Sequence, residues 1–174
     1  MRFVVTGEMH RNRLLQVIIG AYSVYVALLW VTNAALYFSK MSLTPASVVA
    51  YYLGSEQAFT EPRSYEGMLE IAHFHLFAMG MLLLVLTHLV LFVPISNRAK
   101  ITLVVAPFAA ALVDEGAGWL VRFVSPAFAL LKIAGFLALQ ASLAALVLLA
   151  IWSVFRGTSD NYRSGENGEP DEDW

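Results

Sequence analysis

Four long apolar stretches, residues 14–38, 69–93, 101–124 and 127–155, alternate with short polar segments along the chain. Each reaches the roughly 20 residues that a helix needs to cross the hydrocarbon of a bilayer. Apolar residues occupy nearly every turn of these stretches, the pattern of helices with lipid or protein on all sides. The fold class that follows is an all-α integral membrane protein. It is a four-transmembrane-helix bundle over residues 1–156, with a short surface helix after the first span and a disordered C-terminal tail. No stretch remains from which an aqueous domain of any size could be built.

Punctuation between the spans predicts the joints. Thr44-Pro45, followed by ASVVAYYL and Gly54, supplies a cap, a proline at the first helical position and a terminating glycine. These predict a short helix lying on the membrane surface or over the end of the bundle. Ser64, after Pro62, starts the second long helix and Pro94 ends it. The short 94–100 connection makes the second and third helices antiparallel neighbours. Pro107 is expected to bend the third helix, and the run Asp114 to Trp119, DEGAGW, to interrupt it; Ser125-Pro126 turns the chain into the fourth. Residues 157–174 have too little apolar content to order themselves and are expected to form a disordered acidic tail.

Composition sharpens this picture. The chain is 59% hydrophobic and 14% charged, far oilier than a soluble domain. Its net charge of −2 reflects acids gathered in the tail, so nothing supports a nucleic-acid partner. Cysteine is absent, which excludes disulfides, covalent c-type haem, iron–sulfur clusters and thiolate zinc sites. Arg2, Arg11 and Arg13, then Arg98 and Lys100, then Arg156 and Arg163 lie on one side, against Lys40, Arg63 and Arg122 on the other. The positive-inside rule places both termini in the cytoplasm and the 39–68 loop outside, with a bacterial inner membrane as the expected location. The first apolar run exceeds the roughly 7–15 residues of a signal-peptide core, so it is expected to remain as a span. Trp30 and Tyr37 are expected as interfacial anchors.

The remaining polar residues converge in depth. A rise of about 1.5 Å per residue puts His73, His75, Asn33, Lys132, Glu115 and Asp114 between roughly 6 and 14 Å below the outer surface. Polar groups from four helices therefore share one layer, and such groups are costly in a span unless partnered. One buried site is the economical reading. The alternative has Lys132 snorkelling outward, Asp114 and Glu115 facing a wet vestibule and the histidines bonding between helices.

Histidine is the commonest side-chain ligand of metal and haem. At about 100° per residue, His73 and His75 point to opposite sides and cannot chelate one ion together. His73 and His88 instead share a face with Glu66, Glu70, Phe77, Gly80 and Leu84, where Gly80 would give a flat group clearance. Two histidines stacked on one helix around a glycine resemble the arrangement of b-type cytochromes. That resemblance covers one helix and implies haem b with His73 as leading ligand and His75 and His88 next. The second axial ligand would come from His10, from Met79 or Met81, or from the same histidine across a two-fold dimer.

Glu70 and His73 also form an E-x-x-H pair. With Asp114 and Glu115 it offers mixed carboxylate–imidazole ligands for Cu, Fe, Zn or Mn. The leading expectation is a small membrane redox subunit that transfers electrons, with a quinone, a homo-oligomer or a larger membrane complex as partner. In it Asp114, Glu115, Lys132 and Asn33 tune charge or carry protons. A non-haem metal protein and a non-catalytic scaffold subunit are the alternatives.

Overall fold

The computed structural model describes residues 13–166 apart from 92 and 94, with side chains through residue 152. The order is α1 (Arg13–Lys40), α2 (Pro45–Leu53), α3 (Tyr65–Val90), α4 (Asn97–Phe123) and α5 (Ala129–Glu166), with a 3-10 turn, Pro126–Phe128, leading into α5. α1, α3, α4 and the segment Pro126–Trp152 are each long and apolar enough to span a membrane. They form the expected all-helical bundle.

Buried positions explain how these uniformly apolar helices choose a face. On α1 they fall at Ile19, Ser23, Val26 and Tyr37, and on α5 at Lys132, Phe136, Leu139, Leu143, Leu146 and Ala150. The α5 set and the first three of α1 step by threes and fours, the spacing that lets two helices pack at a shallow left-handed crossing. α5 is the centre of the bundle: it packs most extensively on α4, then on α1, and also touches α2 and α3.

Two apolar clusters bracket the bundle. The larger joins Val26, Leu83, Leu86, Val90, Ala110, Leu139, Leu143, Leu146 and Val147. The smaller, at the α2 end, joins Val48, Tyr52, Met68, Val121 and Ala129. α2 therefore caps the bundle, one of the two positions expected for it. Its Thr44 side chain accepts from the Ser47 amide, Pro45 opens the helix, and Gly54 closes it at φ 81°. A Cβ on Gly54 would collide with the Thr60 carbonyl, so only glycine fits this turn.

Some expectations change. α4 runs unbroken through Asp114–Trp119, because an interruption inside a span would strand backbone amides with no partner. α5 continues past Gly157 to Glu166. Lengthening an existing helix needs no new nucleus, so a polar extension can ride on the end of a stable span. The rest of the expected tail, 167–174, lies outside the described residues, as do His10 and Pro94. Trp30 and Tyr37 both make contacts inside the bundle. Trp30 donates to the Gln140 carbonyl at 3.1 Å, and Tyr37 stacks on Phe136 with ring centroids 3.7 Å apart. The aromatic cluster near the α2 end is instead Tyr65, Trp119 and Phe123.

Candidate functional site

The polar layer lies between the two apolar clusters and begins with a glycine. On α5, Gly135 faces the backbone of Asp114 so closely that a Cβ there would sit 2.9 Å from Asp114 N and Cα. One turn earlier, Lys132 reaches across the same contact. Its Nζ donates to Asp114 Oδ1 at 2.7 Å and to the Asp114 carbonyl at 3.0 Å. Lys132 is 7% exposed, so this is a buried ion pair whose desolvation is offset by two directed hydrogen bonds. It does not snorkel.

The next residue, Glu115, turns about 100° around α4 and meets α3. Its Oε2 lies 3.1 Å from His75 Nδ1. Adjacent acids thus serve different helices: Asp114 binds α5 and Glu115 binds α3.

These pairs line a cavity of about 560 Å³. Asn33, Leu36 and Tyr37 of α1 form one side, Gly67, Met68, Ile71 and His75 of α3 the other, and Asp114, Glu115, Lys132 and Phe136 the floor. A smaller space of about 100 Å³ shares Asn33, His75, Asp114 and Glu115 and reaches Met79, Gly80, Phe108 and Leu139. Towards the opposite end of the bundle, Tyr22 Oη of α1 donates to the Leu82 carbonyl of α3 at 3.3 Å. The same two helices meet there and part at the cavity. The edges of the gap, Leu36 and Ile71, are 52% and 44% exposed, so the opening between α1 and α3 is apolar, while exposed Lys40, Glu61 and Arg63 line the cavity towards α2.

α2 and the strap that follows it form the roof. The Tyr52 ring lies over Gly118, where a Cβ would come within 2.6 Å of Tyr52 Oη. Burial pushes the Tyr52 phenol above its ordinary value, with the Asp114 charge adding to the effect; it remains a neutral hydroxyl at physiological pH. The Arg63 amide donates to the Tyr52 carbonyl at 3.0 Å, its guanidinium covers the Tyr51 ring at 4.2 Å, and Arg122 Nε fastens the Arg63 carbonyl at 2.8 Å.

Residues 42–161 match a family model described as a transmembrane helical domain. The chain belongs to this family, Aq_1264_TM. With its four apolar helices, it is an integral membrane protein. The family domain contains α2, α3, α4 and most of α5, so the α3 side of the cavity, its floor and its roof lie inside the match and the α1 side lies outside it. No curated protein and no solved structure matches the chain at a significant level.

Within the family domain the expected site residues divide. His75, Asp114, Glu115 and Lys132 are gathered at the cavity, and Asn33 joins them from α1. Gly80 lines only the smaller space, and a Cβ on it would meet nothing within 4 Å. His73, the expected leading ligand, is exposed on the opposite side of α3 and touches the Phe74 ring edge-on. Glu70 and His88 are likewise exposed and line neither space. The three histidines therefore do not form one ligand set, and Glu70 and His73 do not join Asp114 and Glu115. The cause is the helical periodicity that separates residues 73 and 75 by about 200°. Among the described residues of the single chain, no three His, Asp or Glu side chains are grouped to hold a metal ion.

Tyr52, Arg63, Gly118 and Gly135 were not expected at the site. The two glycines carry a local signal, since small residues in spans often mark close helix approach. Tyr52 and Arg63 carry none, because their roles arise from contacts far away in the chain.

Proposed function

We propose that this protein is a quinone-binding subunit of a membrane redox complex. The cavity, apolar where it opens between α1 and α3 and carrying His75–Glu115 and Lys132–Asp114 on its floor, supports the reading. An amphipathic ring with two carbonyl or hydroxyl groups matches that combination. It would slide in from lipid between Leu36 and Ile71 and find hydrogen-bonding partners inside. Oxidation of a quinol releases two protons and two electrons. His75, backed by the Glu115 carboxylate, is placed to accept one proton, the second would leave to water at the cavity mouth, and the two electrons would pass to a redox-active partner subunit. With the charge bias of the sequence, the cavity lies in the half of the bilayer away from the cytoplasm.

Binding of a short-tailed quinone analogue to the purified protein in nanodiscs tests this. Saturable binding that weakens at least tenfold in His75→Ala and stays within twofold in His73→Ala is expected. Equal binding by wild type and His75→Ala would overturn it.

One observation favours haem b as a second reading. Glu115 engages Nδ1 of His75 and leaves Nε2 as a ligand position, the usual way a carboxylate orients a ligating imidazole. His73 and His88 lie off the cavity and do not complete the axial pair there. A Soret band that disappears in His75→Ala and persists in His73→Ala identifies this reading.

A further inference from the structure

The cavity meets two media. Between α1 and α3 it opens to lipid past Leu36 and Ile71, whereas between the end of α1 and the strap it is lined by Lys40, Glu61, Arg63 and Ser64, all exposed. Charged side chains of this kind need water around them, and a hydrocarbon layer offers none. That mouth therefore faces the aqueous phase beside α2. The same continuous space reaches His75, Asp114 and Lys132. Asn33 lines its floor end, and the rise along α1 from Asn33 to Lys40 is about 10 Å.

The other end is closed. Beyond the floor the smaller space reaches Met79, Gly80, Phe108 and Leu139, and Leu139 already belongs to the larger apolar cluster. On each spanning helix that cluster continues away from α2, through Val26 of α1, Leu83 and Val90 of α3, Ala110 of α4, and Leu143 and Val147 of α5. From Leu83 to Val90 the plug is about 10 Å deep. Interiors packed in this way leave few voids as large as a water molecule. The polar side-chain atoms of Ser23 and Gln140, which would draw water along any path through this layer, are enclosed.

An open mouth at one end and a dry plug at the other make the site sided. We infer that the cavity is a water-filled vestibule, open to the α2 side of the membrane and closed to the opposite side, so that protons released at its floor leave on the α2 side. The last step rests on the quinone reading, because a quinol is the source of those protons. Its oxidation breaks two O–H bonds. Both protons pass to water in the vestibule, one of them by way of His75, and both electrons pass to the redox-active partner subunit. Proton release is then directional, although the substrate arrives from lipid.

Because the chain has no cysteine, single cysteines read water access directly when a charged thiosulfonate that does not cross lipid is added to right-side-out and to inverted membrane vesicles. Gln57→Cys, in the exposed strap, marks the α2 side, and Arg98→Cys, exposed at the start of α4, marks the other. Asn33→Cys should be modified in the vesicles that expose Gln57→Cys, within tenfold of its rate, and at least tenfold more slowly in those that expose Arg98→Cys. Ile71→Cys, on the α3 wall and exposed in the chain, should show the same sidedness without any demand on the fold. Val26→Cys, inside the plug, should stay unmodified in both. A saturating short-tailed quinone analogue should slow the modification of Asn33→Cys at least fivefold. The inference is overturned when Asn33→Cys and Ile71→Cys are unreactive in both kinds of vesicle, or when they react equally in the two. Sided modification that the analogue leaves unchanged would uphold the vestibule and remove the quinone reading, so the two ideas fail separately.

Discussion

Gly135 of α5 and Asp114 of α4 meet almost backbone to backbone, with no room between them for a Cβ. In an open helix, replacing glycine by alanine is stabilising by about 1 kcal/mol. At this contact the sign should reverse, because a methyl group 2.9 Å from Asp114 N and Cα forces the helices apart at a cost of about 1–3 kcal/mol. Gly135→Ala should therefore lower the thermal midpoint in detergent. Gly20→Ala, where nothing lies within 4 Å, should leave it unchanged or raise it.

Lys132 and Asp114 should behave as a unit. Removing one partner leaves a buried charge uncompensated, which costs about 3–5 kcal/mol. Lys132→Met and Asp114→Leu should each be strongly destabilising, and the double variant should recover most of the loss. A thermal-shift double-mutant cycle reads the coupling; additive losses would show that the two residues are independent.

Tyr52 and Gly118 make a lock between roof and floor. Gly118→Ala should expel the phenol and open the cavity at the α2 end, although the residue it changes never touches the 55–62 segment. Limited proteolysis at that segment should accelerate several-fold in Gly118→Ala and in Tyr52→Ala. Tyr52→Phe keeps the ring and should cleave at close to the wild-type rate.

Glu115→Gln retains the size of the side chain and removes its charge. If Glu115 orients His75 and supports its protonation, this variant should bind a quinone analogue within about threefold of wild type. The pH dependence of that binding should flatten between about pH 5 and 8, where an imidazole ordinarily titrates. Isothermal titration across that range measures it. An unchanged pH profile would remove Glu115 from the proton path.

The fold was largely readable in the sequence because lipid imposes a simple rule: a span must be apolar for about 20 residues and must satisfy its own backbone. The four spans and the caps around Pro45–Leu53 follow directly. Shared depth also grouped Asn33, His75, Asp114, Glu115 and Lys132, which line one cavity, since rise per residue is nearly constant. Direction was harder. Periodicity separated His73 from His75 but could not say which of the two faced the bundle, and the prominence of the face shared by His73 and His88 favoured the one that turns outward. The glycines of Asp114–Trp119 looked like a break when read locally. In three dimensions Gly118 is clearance, and only the distant Tyr52 reveals it.

The clasp between Tyr22 and Leu82 has one more consequence. α1 has 28 residues and is about 42 Å long, well beyond a hydrocarbon layer of about 30 Å, so it accommodates the membrane by tilting. Held to α3 towards one end and parted from it at the other, it is fastened to α5 on both levels, by the Trp30–Gln140 hydrogen bond and the Tyr37–Phe136 stack, so the gap between Leu36 and Ile71 is an opening framed by fixed walls.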